Sequence, residues 1–165
     1  DQLGLTILDA RIMTGHSGYT LDSLTVLEDS GLPIQNRGRI KEITTNLLHY
    51  LNQPDAVPPM PSRHISRIQR AFQMPTWVSF REDAANGRTV VELISWDRPG
   101  LLCRVGQAFM ECGGQVHNAK IVTIGARGED VFFVTDRENR PLNDARKYAA
   151  LRQALVDQLD SGEDY

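Results

Sequence analysis

The sequence predicts an α+β fold built from two related copies of one strand-and-helix unit, the first of them truncated. Three observations point there. Residues 3–14, LGLTILDARIMT, run parallel in residue type to residues 112–123, CGGQVHNAKIVT. Residues 21–31, LDSLTVLEDSG, likewise match residues 129–139, EDVFFVTDREN. A proline-rich stretch lies between the two copies. A shared order of polar and apolar types over segments this long is a repeat signal rather than chance identity.

The elements follow in chain order. Copy one opens near the end of a helix, so its first strand and most of that helix are expected upstream of Asp1. Two strands come next, then a helix over Arg39–Leu51 with Ile40, Ile43, Leu47 and Leu51 on one face. Residues 54–75 carry Pro54, Pro58, Pro59, Pro61 and Pro75 and are expected to be a linker. Thr76–Glu82, TWVSFRE, is a strand candidate joined through Asn86-Gly87 to the strand Thr89–Trp96. Asp97 is expected to cap a helix with Pro99 in its first turn. Along that helix Leu101, Leu102, Val105, Phe109 and Cys112 recur at helical spacing, and Gly113-Gly114 ends it.

Strands over Val116–Thr123 and Asp130–Thr135 precede a last helix capped by Asn143, with the face Tyr148, Leu151, Leu155 and Leu159. The order β-α-β-β-α begins a ferredoxin-like unit. Its fourth strand is expected to be TWVSFRE, placed antiparallel beside Thr89–Trp96; the competing assignment makes it the last strand of copy one. The domain expectation is therefore 1–53 for the partial first copy, 54–75 for the linker, 76–160 for the second copy and 161–165 for a polar tail.

The 165 residues are 41% hydrophobic and 24% charged, with a net charge of −3. That balance fits a folded globular protein and argues against a general nucleic-acid surface. No apolar run reaches the roughly 20 residues of a membrane span. Cys103 and Cys112 read as reduced, buried thiols of a cytosolic protein, and the scattered His16, His49, His64 and His117 show no metal-ligand spacing. No metal site is expected.

The stretch S-W-D-R-P-G-L-L at residues 95–102 carries the chemistry. Gly100 lets a ligand approach the backbone, free N–H groups of a helix start attract a carboxylate, and Asp97 offers an anion to an ammonium. The plainer reading is an ordinary capped helix. In Leu8–Ile12, Asp9 and Arg11 share one strand face and Ala10 and Ile12 the other; Asn118 and Lys120 repeat the pattern against Ala119 and Ile121. A solvated face accounts for these pairs as well as a binding role does. Glu129-Asp130 reads as a solvated acidic turn. Arg63, His64, Arg67 and Arg70 form a basic cluster in the linker, and Cys103 reads as a packing residue rather than a nucleophile.

Strand–D-R-P-G-L-L–helix–G-G–strand–H-N-A-K-I–strand resembles the ACT domains, small ligand-sensing modules. With the tandem copies and proline-rich linker, nearly the whole chain is similar to the C-terminal region of the bifunctional enzymes that add and remove uridylyl groups on the PII nitrogen signal protein. The resemblance implies tandem ferredoxin-like (βαββαβ) ACT domains that pair side by side, self-associate and hold glutamine as effector. It implies a site of Asp97, Arg98, Gly100, Leu101 and Leu102 set against Asp9, Ala10, Arg11 and Ile12. A mirror site would use Asn118, Ala119, Lys120 and Ile121.

The resembled enzymes also carry catalytic domains, in which magnesium chemistry is expected. Their signatures are absent here: there is no Gly-Ser followed by Asp-x-Asp, and no His-Asp pair. The segment is therefore expected to be non-catalytic, cofactor-free and cytoplasmic, acting on PII through the parent chain, with no nucleic acid or membrane partner. Three alternatives stand: an ACT pair sensing another amino acid in a biosynthetic enzyme, a ligand-free dimerisation module, and an RNA-binding sheet. The last is disfavoured by 7% aromatics and negative charge.

Overall fold

The computed structural model describes residues 3–15, 17–53 and 74–160. Six strands are present among them: β1 (Leu5–Thr14), β2 (Thr20–Glu28), β3 (Trp77–Asp83), β4 (Arg88–Trp96), β5 (Gln115–Ile124) and β6 (Arg127–Thr135). They form one sheet in the order β2-β1-β5-β6-β4-β3, antiparallel at every pairing. The described helices are α1 (Arg37–Leu51), α2 (Leu101–Glu111) and α3 (Ala145–Asp160). The architecture is α+β and is consistent with tandem ferredoxin-like ACT domains, set edge to edge.

The second copy carries the core. β3 pairs with β4 from Trp77↔Ile94 to Asp83↔Arg88, so TWVSFRE does occupy the edge beside that strand. Leu101, Val105, Ala108 and Phe109 of α2 and Leu151, Leu155 and Leu159 of α3 are buried against Val78, Val91, Leu93, Ala119, Ile121 and Phe132 of the sheet. Phe109 meets Phe132 edge-on with ring centroids 5.2 Å apart. This is the two-layer solution to burying helix stripes on a sheet face.

The copies join along β1 and β5 with a pseudo-twofold register. Arg11 sits opposite its own repeat counterpart, Lys120, and Asp9↔Val122 is mirrored by Met13↔Asn118. A bulge falls between Ile7 and Asp9 in one copy and at the equivalent place, between Val116 and Asn118, in the other. The tight turns repeat as well. The Gly31 N–H donates to the Glu28 carbonyl at 2.8 Å, as Asn139 donates to Asp136 at 3.0 Å. Gly31 and Asn139 both take positive φ, 78° and 58°, the left-handed region Asn tolerates better than most residues. Glu28 holds Arg39 of α1 at 3.0 Å, and Asp136 holds Lys147 of α3 at 2.9 Å.

Several local expectations are corrected. α2 starts at Leu101, not around Pro99, because Gly100 at φ 81° leaves the helical region, and no side chain caps this helix, Asp97 included. α3 is capped one residue later than expected: the Asp144 carboxylate accepts from the Arg146 N–H at 2.8 Å, while the Asn143 N–H is turned to the Pro141 carbonyl. α1 begins at Arg37, since the Asn36 side chain accepts from the Gly38 N–H at 2.7 Å. Both cysteines are free thiols, but Cys112 is exposed at the α2 C-terminus and Cys103 half-buried, so neither is a core residue. The α2 terminus itself is as read, with Gly113 and Gly114 donating back to Met110 and Phe109 in a paired C-cap. Most of the proline-rich linker, with Arg63, His64, Arg67 and Arg70, lies outside the described residues.

Candidate functional site

Where the β4–α2 turn meets the start of β1, the two copies enclose a cavity of about 170 Å³. Asp97, Arg98, Pro99, Leu101 and Leu102 form one wall, and Leu5, Thr6, Ile7 and Asp29 form the other. Ile121 and Thr123 of β5 and Asp130 of β6 complete the lining. The volume falls below the roughly 300–1,000 Å³ of drug-sized clefts and suits a small metabolite.

The turn is held from both sides. The Asp97 N–H donates to the Ala126 carbonyl at 2.9 Å, and Leu101 donates to the Arg98 carbonyl at 3.1 Å. The Arg98 guanidinium donates to the Gln158 carbonyl at 3.1 Å and to the Leu159 carbonyl, and Arg104 donates to Gln158 at 3.3 Å. These are last-turn carbonyls of α3, which have no intrahelical partners. Arg98 therefore anchors the turn to α3. On the opposite wall the Thr123 hydroxyl donates to the Ile7 carbonyl at 3.3 Å, tying β5 to β1 beside the cavity.

Three carboxyl side chains, those of Asp29, Asp97 and Asp130, line the cavity. Asp97 is half-buried, and burial alone raises its pKa above the usual range. Asp130 is only 2% exposed, and its pKa is pushed up to about 7, chiefly by burial, with the Asp97 charge adding to the rise. One hydrogen bond opposes this: the Val122 N–H donates to Asp130 Oδ1 at 3.3 Å. The expectation that Glu129-Asp130 forms a solvated turn is thus corrected. Strand alternation could have found it, because Asp130 has the same parity as the buried Phe132 and Val134.

Asp97, Arg98, Leu101 and Leu102 line the cavity together, and Gly100 shapes the turn between them. Asp9, Ala10, Arg11 and Ile12 lie farther along β1, beyond the bulge. Ala10 is in the core, Ile12 packs against it, and Asp9 and Arg11 face away, 3.8 Å from each other. The stretch of β1 that forms the wall is Leu5–Ile7 instead. Of the mirror set, Ala119 is in the core, Asn118 and Lys120 lie on the far face, and Ile121 lines this same cavity. Leu5, Thr6, Ile7, Asp29 and Thr123 carry no sequence signal of their own, since the inter-copy register puts them there.

A relative from Methylococcus capsulatus is 48% identical over 157 residues, 95% of this chain. One from Stutzerimonas stutzeri is 46% identical over 160 residues, and one from Azotobacter vinelandii 42% over 166, covering 96% and 100% of the chain. Each bears the name bifunctional uridylyltransferase/uridylyl-removing enzyme. This chain is a homologue of one segment of those enzymes. It spans 18% of their length. No family profile matches the chain, and no solved structure matches it. Among the described residues, no group of three or more His, Cys, Asp or Glu side chains is placed to hold a metal ion. No described helix is long and apolar enough to cross a membrane.

Proposed function

We propose that this segment is the non-catalytic, amino-acid-sensing region of a uridylyltransferase/uridylyl-removing enzyme, acting in the cytoplasm, and that its effector is glutamine. The observation that carries the reading is the small cavity between the repeat copies, lined by the Asp97 carboxylate beside the Gly100 turn, with no helix N–H among the described residues bonded to that carboxylate. Asp97 takes the α-ammonium, and the polar atoms of the turn take the remaining ends of the amino acid.

A ligand seated there touches both copies and favours one relative placement of them. It transmits only its difference in affinity between the two placements, typically about 1–3 kcal/mol. Scarce glutamine leaves the parent enzyme adding uridylyl groups to the PII protein, and abundant glutamine favours their removal. A thermal-shift panel of the twenty amino acids against the full chain tests the effector, since a ligand raises the stability of the state it binds. Glutamine is expected to give the largest shift. A larger shift with another amino acid reassigns the effector, and none at all removes the sensor reading.

Asp97→Ala is expected to weaken glutamine binding by about 10- to 100-fold, the loss of one charge-assisted hydrogen bond. The turn survives, because the backbone of Asp97, not its side chain, bonds Ala126. Calorimetry of the variant against wild type, with circular dichroism to confirm folding, makes the comparison. Unchanged affinity refutes the ammonium contact.

A further inference from the structure

Asp130 stands opposite Leu93 on the helix-facing side of the sheet, among Val91, Phe132 and Val134. While Oδ1 accepts from Val122, Oδ2 is buried and has no hydrogen-bond partner among the described residues. The space beside Oδ2 is kept open by Gly128: a Cβ there would stand 3.8 Å from Oδ2 and 3.3 Å from a Leu101 methyl. A carboxylate buried with an orphaned oxygen is among the least favourable arrangements in an interior, and such a group calls for a partner.

The surrounding elements supply none. β4 brings Leu93 and Ser95, β5 brings Ile121 and Thr123, and α2 brings Leu101, none of which carries a charge. The ionisable groups that share the cavity are Asp97 and Asp29, both acids, and Arg98, whose guanidinium is bound to the C-terminal carbonyls of α3. The cavity therefore carries a carboxyl group on its floor and on each of its walls.

We infer that Asp130 is the ligand-reading group of this cavity: with Asp97 it forms a two-carboxylate seat for a primary ammonium, and it excludes ligands that offer a carboxylate or a blocked amine there. The inference rests on the reading of the cavity as an amino-acid site and assigns the residue that sets its charge selectivity. It also sets a proton balance. Because burial holds Asp130 partly protonated near neutrality, seating the ammonium converts the acid to carboxylate and releases its proton to solvent.

The test is calorimetry of the full chain with L-glutamine and N-acetyl-L-glutamine between pH 5.5 and 7.5, in buffers of different ionisation enthalpy. Wild type is expected to release a proton on binding L-glutamine, and below Asp130's pKa its affinity is expected to rise with pH, by up to about tenfold per unit. It is expected not to bind N-acetyl-L-glutamine. Asp130→Asn is expected to lose at least tenfold in affinity together with the pH dependence. Equal affinity in Asp130→Asn or no proton release by wild type overturns the role of Asp130 while leaving the sensor standing, and equal binding of the acetylated ligand overturns the ammonium seat at Asp97 and Asp130 together. If Asp130→Asn does not fold, the wild-type proton release decides alone. Absence of binding by every amino acid overturns the sensor itself, and Asp130's role with it.

Discussion

The second repeat copy lays Leu151, Leu155 and Leu159 of α3 on the sheet, none more than 5% exposed, whereas α1 of the first copy presents the same kind of stripe and buries no residue. Leu47 and Leu51 are 55% and 69% exposed. The local devices of the copies nevertheless agree, from the bulge and the positive-φ turn to the acid that holds a helix cation. Periodicity thus encodes which element forms and how its turns close. Whether an apolar stripe contributes stability depends on what is laid against it, which lies elsewhere in the sequence.

The largest test of that contrast is a matched pair of truncations. Leu155→Ala, at a site with no exposed surface, is expected to cost about 2–5 kcal/mol in urea unfolding. Leu47→Ala is expected to stay within about 0.5 kcal/mol. Equal losses would show that the first copy has a core of its own.

A second pair concerns charge. Asp130 corresponds in the repeat to Asp22, which is exposed. With a folded pKa near 7, above its unfolded value, Asp130 keeps its proton in the native state at pH values where the unfolded chain has lost it. Native stability without ligand therefore falls as pH rises from about 4 to 7. Asp130→Asn is expected to remove that fall and to exceed wild type at pH 8 by up to a few kcal/mol. Asp22→Asn is expected to change stability by less than about 0.5 kcal/mol. Unfolding curves at pH 4, 6 and 8 separate the two.

Gly113→Ala probes the helix end of the second copy. Its φ of 68° lies in the left-handed region, and a Cβ there would come within 3.1 Å of Arg137 Nε. A loss of about 1 kcal/mol is expected in thermal unfolding, with more if Arg137 cannot move aside. The smallest effect belongs to the seam. Arg11 and Lys120 are like charges directly opposite, so Lys120→Glu is expected to gain about 0.2–1 kcal/mol, and the gain should shrink in high salt.

Legibility followed the range of the interactions. Elements set by alternation and by turn residues were readable: the Gly87 hairpin, the Gly113 helix end, and the stripe of α3. The helix starts were less so, because Asp97, Asn143 and Asp144 are all competent caps in sequence, and only the path of the backbone decides which side chain reaches an N–H. The cavity was half readable. Its Asp97–Leu102 wall is a contiguous motif, but the facing wall depends on which residues of β1 come alongside it. Asp130 looked like one of many surface acids until the parity of its strand was fixed by the burial of Phe132 and Val134.

By itself, then, the sequence determined the repeat, the strand and helix inventory and the acid-glycine turn, because these rest on spacings of a few residues within one segment. The tertiary structure alone decided that β1 and β5 meet about a pseudo-twofold axis at Arg11 and Lys120, that Leu5–Ile7 rather than Asp9–Ile12 line the cavity, and that Asp130 lies there with Oδ2 unbonded. The physical reason is that inter-strand register and burial come from contacts between residues far apart in the chain, and no local pattern specifies which surfaces are removed from water together.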